Sequence, residues 1–261
     1  MAKLITKTTR TPEVNDYFYI SSNDGLTDGK VELQDMAVIP ETTRNINFTS
    51  SQTAAQIQAE IDAVGRYIPV NVNLTFQFGN GTYTLDNQLL FQGFYGGGNI
   101  QIYGDTSQTD ALHTNHNVHL NFNNDTHGIY ILKCAMKNIR LKHLKITTDN
   151  AKSSIIGQRL KWIEVQYNYC ISTAKGSSST RSIYILDGTD GRTDYNYISG
   201  SYYGIHSSIC AHISSNNNDD TGTQPTVGLR ADGNGIIGKL GASQPTGSIT
   251  NEATRQGGEI R

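Results

Sequence analysis

The hydrophobic pattern changes rhythm twice along this chain. Near the start, two short runs, Asp16-Tyr17-Phe18-Tyr19-Ile20 and Gly29-Lys30-Val31-Glu32-Leu33, flank the turn signal Asn23-Asp24-Gly25, which predicts a small hairpin. A polar linker, Glu41 to Phe48, follows. Residues 51–65 then place Ala54, Ile57, Ile61 and Val64 at helical spacing, with Ser51 or Thr53 as N-cap and Gly65 where a C-cap belongs. From Val70 onward the period drops to two. Val72-Asn73-Leu74-Thr75-Phe76-Gln77-Phe78 alternates strictly, and short copies recur at Ile100-Gln101-Ile102, Val118-His119-Leu120-Asn121-Phe122, Ile139-Arg140-Leu141 and Ile163-Glu164-Val165.

The spacing of these copies carries the prediction. Leu120, Leu141 and Val165 follow one another at about 20–25 residues, the length range of a solenoid repeat. A second register recurs at Gly128-Ile129-Tyr130-Ile131, Ser182-Ile183-Tyr184-Ile185, Gly204-Ile205-His206 and Gly228-Leu229-Arg230. Each strand is too short to bury a face alone, whereas stacked coils pile Ile on Ile into a continuous core. A β-sandwich also predicts short alternating strands, but gives no reason for this beat. The pattern predicts an all-β chain, a parallel β-helix of about seven or eight coils ending near Lys239.

Composition agrees. Hydrophobic residues make up 36% and charged residues 17% of 261, with 26 Gly and five Pro. Such a chain reads as turn-rich β-structure in which Gly and Asn supply the positive-φ corners. The net charge of −2 and the lack of a basic run point away from nucleic acid. No apolar run is long enough to insert in a membrane. Met1 to Pro12 lacks the apolar stretch of a signal peptide, so the expectation is folding in the cytoplasm. Cys134, Cys170 and Cys210, odd in number and without CxxC spacing, read as inert core thiols.

The run from Thr53 to Val64, Gly81-Thr82-Tyr83-Thr84-Leu85 and Gly96-Gly97-Gly98-Asn99-Ile100-Gln101-Ile102-Tyr103-Gly104 together resemble the opening of pectate-lyase-like proteins. That resemblance implies a right-handed parallel β-helix whose first coil is capped by the helix. Asp16–Met36 is similar to the attachment module of phage tail fibres and tailspikes. Gly235-Ile236-Ile237-Gly238-Lys239 with Ser243-Gln244-Pro245-Thr246-Gly247-Ser248 is similar to C-terminal segments of phage appendages. The resemblance implies residues 1–48 as virion-attachment module and linker, 49–240 as capping helix plus β-helix, and 241–261 as an extended tail. It further implies a homotrimer in the phage virion that recognises the host surface. Its other partners would be virion structural proteins and a host-surface glycan. Two alternatives stand beside this reading: a structural adaptor or decoration protein, and a polysaccharide depolymerase.

A glycoside hydrolase needs two carboxyls at a defined separation. Glu164, Asp187, Asp190 and Asp194 are the weak candidates, although Asp187-Gly188 and Asp190-Gly191 are also ordinary turn dipeptides. The residues carry no lyase signature, so an enzyme is the less favoured reading and no cofactor is expected. His113, His116 and His119 are spaced by three, which on a strand alternates faces, so no metal site is expected. Gly96-Gly97-Gly98 leads into a strand and reads as a tight corner rather than a phosphate loop. Tyr130, Tyr184, His206 and Arg230 all alternate outward in the second register. They are expected to form one lateral ladder, a binding surface or a trimer interface. Tyr195, Tyr197, Tyr202 and Tyr203 suggest a second aromatic cluster.

Overall fold

Three strands per coil build three parallel sheets in a right-handed β-helix of about eight coils. The computed structural model describes residues 43–107, 116–149, 152–173, 177–220 and 222–261, and the backbone of two strands nearer the start. Those two, Tyr17–Ile20 and Gly29–Glu32, pair antiparallel as the predicted hairpin, within a separate unit, Met1–Glu41. The second unit, Thr42–Arg261, is the solenoid.

Among the described residues, the first sheet has nine strands, from Arg44–Phe48 to Glu259–Ile260. The second has six, from Gly81–Leu85 to Asp219–Asp220, and the third seven, from Leu89–Gln92 to Thr250–Arg255. Register is set by the period of two, because a slip by one residue would turn each apolar row to solvent. Thus Leu89, Ile129, Ile155, Ile183, Ile205 and Leu229 stack in one fully buried row of the third sheet. Burying each such side chain contributes about 1.5–3 kcal/mol.

The helix spans Ala54–Asp62 and sits between the first two strands of the first sheet in chain order. Thr53 is its N-cap, and Gln56 closes a capping box with it. Ala54, Ile57 and Ile61 face inward. Gln58 ties the helix to Leu89–Gln92, the outermost strand of the third sheet. Its amide donates to Leu90 O (2.9 Å) and accepts from Leu90 N–H (2.8 Å). One side chain thereby replaces the neighbouring strand that this edge lacks.

Several expectations need correction. Arg44–Phe48, read as linker, is the first strand of the first sheet, in register with Asn73–Phe78, and Phe48 is buried. The C-cap is Ala63 in right-handed helical conformation rather than Gly65. The solenoid continues past Lys239, since Thr250–Arg255 and Glu259–Ile260 each add a strand within residues 241–261. The corners are not the preserve of Gly and Asn. Lys133, His143, Arg159, Tyr167, Asp187 and Tyr195 all take positive φ, near 50–60°. Each costs about 1–2 kcal/mol of local strain. The rings of His143, Tyr167 and Tyr195 partly offset it by stacking, with centroids 5.3 and 5.2 Å apart and planes within 2°. The Gly-rich corner is as expected: a Cβ on Gly96 (φ +129°) would stand 2.1 Å from Ile68 O.

Candidate functional site

The third sheet carries the first candidate. Its register aligns Tyr130, Ile156, Tyr184, His206 and Arg230 in one outward row, so the four ladder residues do share a face, with Ile156 between the tyrosines. The row is not a plain exposed strip. His206 is 3% exposed, and its ring stacks on Tyr184 with centroids 4.7 Å apart. Arg181 Nε donates to His206 Nδ1 (2.9 Å), and His206 Nε2 lies 3.0 Å from Asp232 Oδ2. A donor on Nδ1 leaves Nε2 to carry the proton, so the imidazole is neutral and bonded at both nitrogens. Burial pushes its pKa down to about 4 despite the Asp232 carboxylate. Arg230 Nε completes the chain at 3.4 Å from the same Asp232 oxygen. Arg181 lies over the Tyr184 ring at 4.4 Å, and Arg181 and Arg230 each lie 5.7 Å from the centre of Tyr203. Tyr130 stands apart from this knot and hydrogen-bonds Gln158. The result is a rigid face of aromatic and guanidinium planes.

The first sheet carries the carboxylates. With Ile163 and Val165 in the core, Glu164 stands on the outer face, yet it is buried by its neighbours. It accepts from Asn138 Nδ2 (2.8 Å) and Arg140 Nε (2.9 Å), and Arg192 Nη2 is 3.6 Å away. Burial alone would raise its pKa. The Asn138 hydrogen bond and the Arg140 and Arg192 charges outweigh that and hold it below the usual glutamate value. Asp194 accepts from Gln166 Nε2 (2.5 Å) and lies 3.2 Å from Arg192 Nε. Arg192 thus joins Glu164 to Asp194.

The other two carboxylates are elsewhere. Asp187 sits on the corner between third and first sheets, bonded by Arg159 and Gln158, and these hydrogen bonds lower its pKa. Asp190 lies at the start of Asp190–Asp194, 3.4 Å from His212. A general acid needs a raised pKa at neutral pH, and Glu164 and Asp187 move the other way.

Of the three spaced histidines, His113 lies outside the described residues. His116 Nε2 contacts Tyr167 O (2.9 Å) and His119 Nε2 contacts Thr147 Oγ1 (2.9 Å), so the two serve different neighbours. Burial, then the Lys145 charge, pushes the His119 pKa down to about 4. Among the described residues no group of His, Cys, Asp and Glu could hold a metal ion. Cys134 and Cys170 are core thiols whose pKa burial raises. Cys210 is a correction: it occupies an exposed corner at φ 59°. The second tyrosine cluster also divides. Tyr195 belongs to the corner stack, Tyr197 pairs in register with Tyr169 on the second sheet, and Tyr202 and Tyr203 join the third-sheet face.

One feature escaped the sequence reading. Asn168, Asn196 and Asn218 form a buried ladder at the corner between first and second sheets. Each amide donates to a carbonyl of the coil before, Leu141 O, Val165 O and Thr193 O, at 2.6–3.0 Å. Asn168 and Asn196 also donate to the carbonyl oxygen of the next Asn in the ladder. The signal was present as an Asn five residues after Ile163, Gly191 and Ile213, which are paired positions of three successive first-sheet strands. Set against known protein families, curated proteins and solved structures, the chain finds no match in any of the three.

Proposed function

We propose that this chain is a phage virion appendage that recognises the host surface through a lateral face of its β-helix and works as a homotrimer. The observation that carries the reading is the alignment of Tyr130, Tyr184, His206 and Arg230 on one sheet face. Tyrosine and arginine held in fixed planes lose little entropy on contact, which suits them to recognition. The parallel β-helix supports the reading because it presents a long, stiff face without depending on a partner for its core. The hairpin unit before it supports a virion-attachment role through its resemblance to appendage modules.

Light scattering on the purified chain, with a pull-down on host envelopes, tests this reading. A trimer that binds envelopes, and binds more weakly as the Tyr130→Ala/Tyr184→Ala variant, is the expected result. A monomer that binds nothing overturns it. A trimer that ignores envelopes but binds other virion proteins replaces it with the adaptor reading. Release of reducing sugar ends replaces it with a depolymerase.

A further inference from the structure

At one edge of the solenoid a single side chain stands where a strand would fit. Leu89–Gln92 opens the third sheet, and the N–H groups of Leu89 and Gly93 turn toward the next coil, to Gly128 O and Leu132 O. By the period of two, Gln88, Leu90 and Gln92 turn their backbone groups the other way, toward the helix. Leu90 is met there by the Gln58 amide, which accepts from its N–H and donates to its carbonyl. A directly paired residue of an antiparallel strand makes the same two bonds. On either side the backbone is unmet. Gln88 N–H turns back to Asn87 Oδ1 (2.9 Å), while Gln88 O and both backbone groups of Gln92 have no partner among the described residues.

This edge faces a groove. Two hollows of about 570 and 610 Å³ lie between strand and helix, and Gln58, Asp62, Asn87 and Gln88 line both. Ala55 and Ala59 line the second, so the helix puts no long side chain into it there. Gln92 is exposed. The surroundings are acidic: residues 49–93 hold Glu60, Asp62 and Asp86 against Arg66 alone. Arg66 is taken by Asp62 at 2.9 Å, and the exposed Asp86 has no ion pair among the described residues. Gln58 can also let go at small cost. Its Nε2 donates to Asp62 Oδ1 as well (3.1 Å), so it keeps one partner when Leu90 is released.

We propose that this groove takes up an extended, basic peptide strand of a partner protein, which adds to the third sheet at Leu89–Gln92, and that Gln58 is the plug it displaces. The unmet groups are backbone donors and acceptors at every second residue, about 7 Å apart, which is the spacing an extended strand matches and a helix does not. Main-chain bonds to Gln88, Leu90 and Gln92 supply the affinity, as in other cases of strand addition. Lysine or arginine side chains on the strand meet Asp86 and Asp62 at the rim and select it over an acidic one. The proposal stands independently of the reading of the Tyr130–Arg230 row.

The probe is a fluorescein-labelled octapeptide alternating lysine and threonine, titrated into the full chain and followed by fluorescence polarisation. Saturable binding that weakens as salt rises is expected, with slowed amide exchange at Gln92. The same peptide N-methylated at alternate residues, or with glutamate for lysine, should not bind. Gln58→Ala should bind about fivefold more tightly, because no amide competes for Leu90. Asp86→Lys, on an exposed site, should bind about fivefold more weakly. Tyr184→Ala should bind as the parent does. No binding by either the parent or Gln58→Ala, equal binding of the N-methylated peptide, or unaltered exchange at Gln92 overturns the proposal. Binding by Gln58→Ala no tighter than by the parent overturns the role of Gln58 as plug. If Gln58→Ala instead self-associates by light scattering and protects Gln92 without peptide, the occupant is a second copy and the partner strand is overturned.

Discussion

The two ends of the solenoid solve the same problem with different chemistry. At the N-terminal end the core is aromatic. Phe48 meets Phe78 at 4.9 Å, Phe76 meets Phe91 at 5.0 Å, and Tyr83 donates from its buried hydroxyl to Phe48 O. The helix closes that end with Ala54, Ile57 and Ile61 and fills the sheet edge with Gln58. Toward the C-terminal end part of this inward surface becomes small and polar, although Leu229 and Ile237 stay in the core. The row that begins Phe76, Ile102, Leu141, Val165 continues Thr193, Ser215, Lys239. The row Leu89 to Leu229 ends in Glu252, and Lys239 Nζ meets Glu252 at 2.6 Å across the last coil. Where apolar volume thins, the Asn168–Asn196–Asn218 ladder and buried hydroxyl pairs such as Ser182 with Ser201 take over. A solenoid end can thus be closed either by an added apolar element or by letting the repeat itself turn polar.

The sharpest test of this contrast is truncation of the aromatic end. Phe76→Ala should cost about 3–5 kcal/mol by urea unfolding, and a cost below about 1 kcal/mol would show that the aromatic cluster is not the anchor.

The next effect is pH-dependent and lies in the C-terminal half. The folded pKa of His206 is about 4 against an ordinary 6.5, so between those values the unfolded chain binds the extra proton. Stability therefore rises with pH there: it is full above about 6.5 and falls by about 3 kcal/mol as pH drops to about 4. His206→Gln should remove about half of the histidine-dependent slope there, the rest belonging to His119, whose folded pKa is also about 4, and an unchanged slope would place the acid sensitivity elsewhere. Asn196→Leu, in the middle of the ladder, strands Val165 O and should cost about 2–3 kcal/mol in the same unfolding assay.

Gln58→Ala uncovers one strand edge without touching the core. A loss of about 1–2 kcal/mol is expected, together with faster amide exchange at Leu90; protection unchanged at Leu90 would mean the clamp is incidental. The smallest effect belongs to the polar end. Lys239→Ala should change stability by no more than about 1 kcal/mol, because the pair it breaks is half-exposed. A larger loss in the unfolding curve would make that ion pair a true plug.

Legibility in the sequence follows from how local each feature is. The alternation of Val72–Phe78 and the recurrence of Ile139, Ile163 and their kin were readable because strand period and coil length are properties of the chain itself. So was the outward row Tyr130–Tyr184–His206–Arg230, since equal offset from equivalent isoleucines fixes a shared face. The helix was readable to within its last turn, where no Gly was needed because Ala63 stays helical. The corners were misread because His143, Tyr167 and Tyr195 take a left-handed backbone while their rings stack from coil to coil, a contact between residues far apart in the chain.

The sequence by itself determined the solenoid, its sheet period, its helix and the rows of side chains, because each depends on residues close together or evenly spaced. Only the tertiary structure decided what those rows do. Hydrophobic burial fixes register, and register then sets Arg181 and Asp232 on either side of His206, and Arg140 and Arg192 around Glu164. Such partners lie about a coil or more apart in the chain, and no local pattern says which pairs meet. Electrostatic character here belongs to the coil stack and not to any stretch of the chain.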